Sequence, residues 1–325
     1  YYPGLPDYLT VILVQSLLSA LTCGLVYLIA RAIYSPTAAL IAAGLTALYP
    51  GLIFYSTQLL SETLFIFLLY SAAAIFYRVR NQRGKWIILG MILGLASLCR
   101  PIALPLTILL LPFFAWNLTH GIRRWLLVFF CALLIIIPWT GRNYHIHHHL
   151  VLLTTYGGAN LWLGNYPGAT GYIGTPEGIQ TLLRKKGISE PEKDALCYRK
   201  ALSFISRHPG RFLGLSVKRF FLFWNPIPEK QCGPDRLQGK DTLYRIVVTV
   251  SFSILLLLAG IGAAVTSRLW KKAWFLLVLI FYFPAILMFY YISLRYRLPI
   301  IPALAILGGE GLRVITSRFF RTGDG

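Results

Sequence analysis

Acidic residues are scarce in this sequence: 11 Asp and Glu stand against 31 Lys and Arg in 325 residues, a formal charge of +20. Only 13% of the residues are charged at all and 57% are hydrophobic, whereas soluble domains carry about 25% charged residues. That shortage excludes an ordinary water-soluble domain and makes lipid the solvent for most of the chain. P-loop, GxSxG and HExxH patterns are missing, which leaves ATP-driven, serine-hydrolase and zincin chemistry without support. The chain opens on Tyr1 without a basic leader, a short apolar core or a small-residue cleavage site, so no signal peptide is expected and the start reads as a truncation. No CxxC or zinc spacing links the five cysteines. Cys23, Cys99 and Cys131 lie in apolar stretches, while Cys197 and Cys232 share one polar loop and could pair if that loop is extracytoplasmic.

What is present is apolar sequence from end to end, in stretches at 9–30, 37–55, 59–77, 86–99, 102–116, 125–139, 243–267, 273–291 and 299–312. A helix needs about 20 residues to cross the hydrocarbon layer, so most qualify and the middle ones are short. The stretch 86–116 reads either as one overlong helix or as two. One helix would put Arg100 near the bilayer centre at a cost of about 2.5–3.5 kcal/mol or more, with Pro101 removing a hydrogen bond there. Two short helices meeting at Arg100-Pro101 are therefore expected. This choice gathers Arg31, the 78–85 run, Arg123-Arg124, Arg268, Lys271, Lys272, Arg313, Arg318 and Arg321 on one side, the cytoplasm by the positive-inside rule.

The expected fold class is an all-α polytopic membrane protein with about nine transmembrane helices, a cytoplasmic C-terminus and one large extracytoplasmic loop. Its organisation is membrane helices over 1–139, a loop domain with interfacial helices over 140–242, and C-terminal membrane helices with a cytoplasmic tail over 243–325. The loop's first part has the Gly, Asn and Pro punctuation of turns. Its second part, 191–224, reads as helical with a break at His208-Pro209-Gly210, and its apolar residues alternate with Arg207, Arg211, Lys218 and Arg219 as in a helix lying on a membrane surface. Packing onto the membrane helices is the alternative. The clustered cations suit phosphate and anionic lipid head groups, and nucleic acid is not an expected partner.

Besides Asp7, Glu62 is the only acid before Glu177, and it stands at the outer end of a membrane helix. Such a carboxylate either caps the first helical turn or faces a cavity, where it orients a cation or a sugar hydroxyl. Arg100, Arg142, Arg295 and Arg297 stand at outer membrane faces where the charge rule disfavours them. Guanidinium binds phosphate bidentately, so they are candidates for that role, against simple snorkelling. His145, His147 and His149 would share one face of an extended strand, a weak metal-site signal with no acid beside it. No cofactor is required by these patterns; a divalent cation is the one candidate.

Ordered motifs run along the chain: Ala47-Leu-Tyr-Pro-Gly-Leu-Ile-Phe-Tyr-Ser56, Leu60-Ser-Glu-Thr-Leu-Phe65, Cys99-Arg-Pro101, Pro138-Trp-Thr-Gly-Arg-Asn-Tyr144, Gly157-Gly-Ala-Asn-Leu-Trp-Leu-Gly-Asn165, His208-Pro-Gly-Arg-Phe212 and Arg295-Tyr-Arg-Leu-Pro299. Together they resemble bacterial membrane glycosyltransferases of the dolichyl-phosphate-mannose protein mannosyltransferase family, with the C-type glycosyltransferase fold. The resemblance implies transfer of a hexose or pentose from a polyprenyl-phosphate donor to a hydroxyl acceptor on a protein, lipid or glycan, with inversion, at the outer face of the bacterial inner membrane. Cell-envelope glycans such as lipopolysaccharide, as well as proteins, fall within that range of acceptors. It also implies a first helix and a first outer loop, bearing the principal catalytic acid, upstream of Tyr1. Asp7 lies too close to the next helix for that part, and Glu62 becomes the second acidic position. A flippase or secondary transporter of lipid-linked sugars and a noncatalytic membrane assembly protein are the alternatives.

Overall fold

In the computed structural model, residues 8–78, 83–117, 119–227, 241–266 and 270–321 are described. They are mostly helical, with no strand among them and one isolated bridge between Tyr172 and Ile292. In chain order the helices are α1 (Tyr8–Ile33), α2 (Pro36–Ala47), α3 (Pro50–Ser56), α4 (Glu62–Arg78), α5 (Arg83–Cys99), α6 (Ala103–Asn117), α7 (Gly121–His147), α8 (Gly157–Gly164), α9 (Ile179–Arg184), α10 (Glu190–Arg207), α11 (Pro209–Trp224), α12 (Asp241–Thr266), α13 (Trp270–Leu287) and α14 (Ile301–Arg321). A 3-10 segment, Leu294–Ile300, leads into α14.

Among the described residues four helices are long and apolar enough to cross a membrane, or five if α2 and α3, bent by 53°, form one span. Three further apolar helices, in α4, α6 and α13, are shorter. Proline places several of the breaks, because it has no N–H to continue a helix. Pro36 starts α2 behind Ser35, whose hydroxyl accepts from the Ala38 amide at 3.3 Å. Pro50 starts α3. The expected break at Arg100-Pro101 is present: α5 ends at Cys99 and α6 begins at Ala103.

The chain divides into two compact units. The first comprises Tyr1–Leu133, Thr242–Ile280 and Leu298–Gly325. Its centre is α14, on which Ile301, Ala303, Ala305 and Ile306 are fully buried. Gly309 lets α14 touch α2, since a Cβ there would meet the Ala38 carbonyl oxygen and lie 2.9 Å from Ala42 Cβ. Tyr70 of α4 serves both sides of the Pro299 interruption. Its hydroxyl donates to the Pro299 carbonyl at 2.9 Å and accepts from the Ala303 amide at 2.8 Å. An aromatic cluster of Phe76, Trp86, Phe114, Trp274 and Phe275 packs edge-on and stacked. Within it the Lys85 ammonium donates to the Phe76 carbonyl at 2.5 Å.

The second unit comprises Leu134–Asp241 and Phe281–Arg297. One core gathers Ala159, Trp162, Ile179, Cys197 and Ala201 from α8, α9 and α10, and another gathers Ala169, Phe204 and Leu215. Ser189 and Glu192 close a capping box at the start of α10. The helical reading of 191–224 with its break at His208 holds. One part of it is corrected: Arg219, expected among the surface cations, is fully buried. It donates to Asn165 Oδ1 and the Met288 carbonyl, both at 3.2 Å, and to the Gly164 carbonyl. Burial lowers its pKa to about 10, so it remains charged at neutral pH.

The close contact between α14 and α2 makes Gly309 sensitive to any side chain. Gly309→Ile should lower stability by about 1–3 kcal/mol through overpacking, read as earlier thermal unfolding in detergent. Gly24→Ala, with nothing within 4 Å of the added carbon, should unfold no earlier than the parent.

Candidate functional site

One of the few acids in the sequence lies at a junction of helices. Glu62 is the first residue of α4, where a carboxylate complements the helix dipole. Its side chain is 1% exposed and ion-paired through Oε1 with Arg100 Nη2. Arg100 sits in the break between α5 and α6, donates from Nε to Ser61 Oγ at 3.2 Å and stands over the Phe65 ring. The structure thus joins two residues that the sequence singled out separately.

Beside Glu62 lies a small cavity bounded by Ser19, Thr22, Thr46, Leu52, Tyr55, Thr63, Ile66 and Leu298. Its volume of about 10 Å³ matches a single water, far short of a sugar ring. Thr22 and Thr46 donate to the carbonyls of Leu18 and Ala42 one turn earlier, at 2.8 and 2.9 Å. Their remaining lone pairs can only accept, which suits a donor beside a carboxylate.

The other arginines belong to the second unit. Arg142, on α7, is exposed and stands 4.7 Å over the Trp139 ring. Arg295 is half-buried over the Tyr296 ring at 5.2 Å. The Tyr296 hydroxyl donates to Tyr291 at 2.9 Å, and Tyr291 donates to Asn160 Oδ1 at 3.2 Å. Burial first, then the neighbouring Tyr296, raises the Tyr291 pKa, so the Tyr291 phenol stays protonated. Arg297 is 5% exposed, and its Nη2 donates to the Leu222 carbonyl in the last turn of α11 at 2.8 Å.

The histidines depart from expectation. His145 and His147 occupy the last turn of α7, not an extended strand. Two residues apart on a helix, their side chains point about 160° apart. No group of three or more His, Cys, Asp or Glu among the described residues is placed to hold a metal ion. Cys197 is buried in the core of the second unit, and Cys232 lies outside the described residues, as does Asp7.

The sequence reading missed the way the 157–165 motif is held. Asp194 Oδ1 accepts from the Gly158 and Ala159 amides at 2.7 and 3.2 Å, capping α8 from a distant helix. A Cβ at Gly164 would strike the Tyr290 carbonyl. The Asn165 side-chain amide donates to the Leu161 and Phe289 carbonyls at 2.8 and 2.9 Å. The repeated glycines of the motif were the available signal, but their partners come from α10 and the 281–297 segment.

Burial raises the Asp194 pKa above its ordinary 3.8, while the α8 amides pull the other way. A carboxyl raised on folding binds its proton more tightly in the folded state. Stability therefore falls as pH climbs from 3.8 through the raised value and is level above it. Asp194→Asn, which keeps an acceptor without the charge, should abolish that slope and leave stability at pH 7 undiminished. Asp194→Ala should lose about 0.5–2 kcal/mol with the cap. Chemical denaturation between pH 3 and pH 8 reads both outcomes.

Comparison with known proteins places this geometry. Residues 7–141 match the family model described as dolichyl-phosphate-mannose-protein mannosyltransferase. No curated protein matches. Among solved structures, the oligosaccharyltransferase of Archaeoglobus fulgidus, solved tethered to an acceptor peptide containing an NVT sequon, superposes with a TM-score of 0.53 at 17% identity. The match covers 95% of this chain and 38% of the archaeal one, so the chain spans well under half of that enzyme's length. The resemblance read from the motifs is thereby borne out: residues 7–141 are similar to the dolichyl-phosphate-mannose-protein mannosyltransferase family model, and the chain shares the fold of the archaeal oligosaccharyltransferase.

Proposed function

We propose that this chain is part of a membrane glycosyltransferase that moves a sugar from a polyprenyl-phosphate donor to a hydroxyl acceptor on a protein or glycan. The reaction takes place at the extracytoplasmic face of a bacterial inner membrane, on a frame of about nine spans with the C-terminus in the cytoplasm. The observation that carries the reading is the buried Glu62 carboxylate held by Arg100 at two adjoining helix breaks. A charge in that setting is costly and is the usual mark of a functional site in a membrane protein.

In this reading the acceptor oxygen attacks the anomeric carbon as the bond to the donor phosphate breaks, with inversion. The acceptor proton passes to a carboxylate base, and polyprenyl phosphate departs. Glu62 orients the acceptor hydroxyl, and Arg100 fixes the Glu62 rotamer. Arg295, backed by Tyr296 and Tyr291, takes the phosphate oxygens, with the exposed Arg142 as a second cation. Arg297, whose Nη2 donates to the Leu222 carbonyl, is the third cation assigned to the phosphate in this reading. Electrostatic stabilisation of the leaving phosphate is the main contribution asked of these cations.

Membranes containing the full-length protein, incubated with radiolabelled polyprenyl-phosphate sugars, should transfer or hydrolyse label. Silence across plausible sugars would count for a transporter or an assembly protein instead. Glu62→Gln should reduce transfer about 10²-fold through lost positioning with donor binding retained. Arg295→Ala should mainly raise the donor KM. An Arg297→Ala protein with unchanged activity and donor affinity would remove that residue from the phosphate site.

A further inference from the structure

We propose that α11 lies in the plane of a membrane surface, its outer apolar face among acyl chains and its two outer cations on anionic lipid head groups. Leu213, Val217 and Phe221 are 62%, 52% and 67% exposed. At about 100° per residue they fall within an arc of about 80°. Arg211 and Lys218, both exposed, lie about 20° from each other and about 120° and 100° from the middle of that arc. Cations along one edge of an apolar stripe place their charges at head-group level while the stripe sinks below it.

The opposite face is occupied, which fixes the direction of the stripe. Arg219 is bonded to the Gly164 and Met288 carbonyls, Phe223 is fully buried, and Phe212 stacks on Phe289 at 6.2 Å. An anionic lipid is the occupant that fits. The helix carries cations and no acid, and α12, one of the helices long enough to cross a membrane, follows it in the chain. Each basic residue held near an anionic leaflet favours contact about fivefold. Arg211 also bonds the Pro167 carbonyl, so it is already aligned at the edge of the stripe.

Spin labels on Leu213→Cys, Val217→Cys and Phe221→Cys, in the full-length protein with its five native cysteines replaced, test the placement. The protein is reconstituted in phosphatidylcholine vesicles with or without phosphatidylglycerol. Power saturation should show oxygen access exceeding that of an aqueous nickel reagent at all three sites and the reverse at Ser206→Cys. In anionic vesicles, Arg211→Gln and Lys218→Gln should each lower the ratio of immersed to non-immersed label about fivefold. Labels open to nickel would put the face in water, and labels closed to both reagents would put protein against it; either result overturns the proposal. Equal immersion in neutral and anionic vesicles overturns the head-group assignment. In the unmutated protein, a phospholipid with a photoreactive group in its upper acyl chain should crosslink to the 212–218 peptide. Its absence there, with crosslinks elsewhere, would contradict immersion independently of any replacement.

Discussion

Every helix end in an apolar setting leaves carbonyl and amide groups that must find partners, because no water is at hand to take them. This chain meets that demand in part with its cations. Arg219 takes the carbonyl of Gly164 at the end of α8 and that of Met288 just past α13, Arg297 takes that of Leu222 in α11, and Lys85 takes that of Phe76 near the end of α4. Each cation also complements the negative pole of a helix. With 11 acids for 31 basic side chains, carboxylates are too few to serve as general partners. The scarcity that marks the sequence thus becomes a rule of construction, in which guanidinium and ammonium groups close helices.

Against that background Glu62 is one of two buried acids paired with a cation among the described residues, the other being Glu310 with Arg313. Its partner Arg100 is also the residue at which the chain turns from α5 to α6, so one ion pair ties the start of α4 to that turn. Breaking such a pair leaves an uncompensated buried charge and commonly costs about 3–5 kcal/mol. A pair of that kind is weak evidence for stability as such and stronger evidence for a set position. The single-water cavity beside it, with threonine lone pairs turned outward, adds a place where a donor can sit next to the carboxylate.

Much of the framework was legible because its causes are local. Pro101 has no N–H, so the break beside Arg100 could be read from two residues. The helices on either side of His208 followed from apolar spacing and one Pro-Gly step. Glu62 stood out through the rarity of acids around it. Arg219 was misread because it shares the spacing of the neighbouring surface cations. What buries it is the carbonyl oxygens of Gly164 and Met288, which no local pattern of α11 encodes. The same holds for Asp194 of α10, which caps α8, and for the chain from Tyr296 through Tyr291 to Asn160. The histidine group failed for a different reason: alternation suggested a strand, but α7 continues through His147.

The central claim is that Glu62 and Arg100 act as one unit in sugar transfer. A double-mutant cycle on transfer rate, comparing the parent with Glu62→Gln, Arg100→Gln and the double variant in the same membranes, tests it most directly. The account predicts strong coupling, with the double variant losing little beyond the worse single one and an interaction energy of about 0.5–3 kcal/mol. Losses that multiply independently, or single variants that transfer at the parent rate, would contradict it.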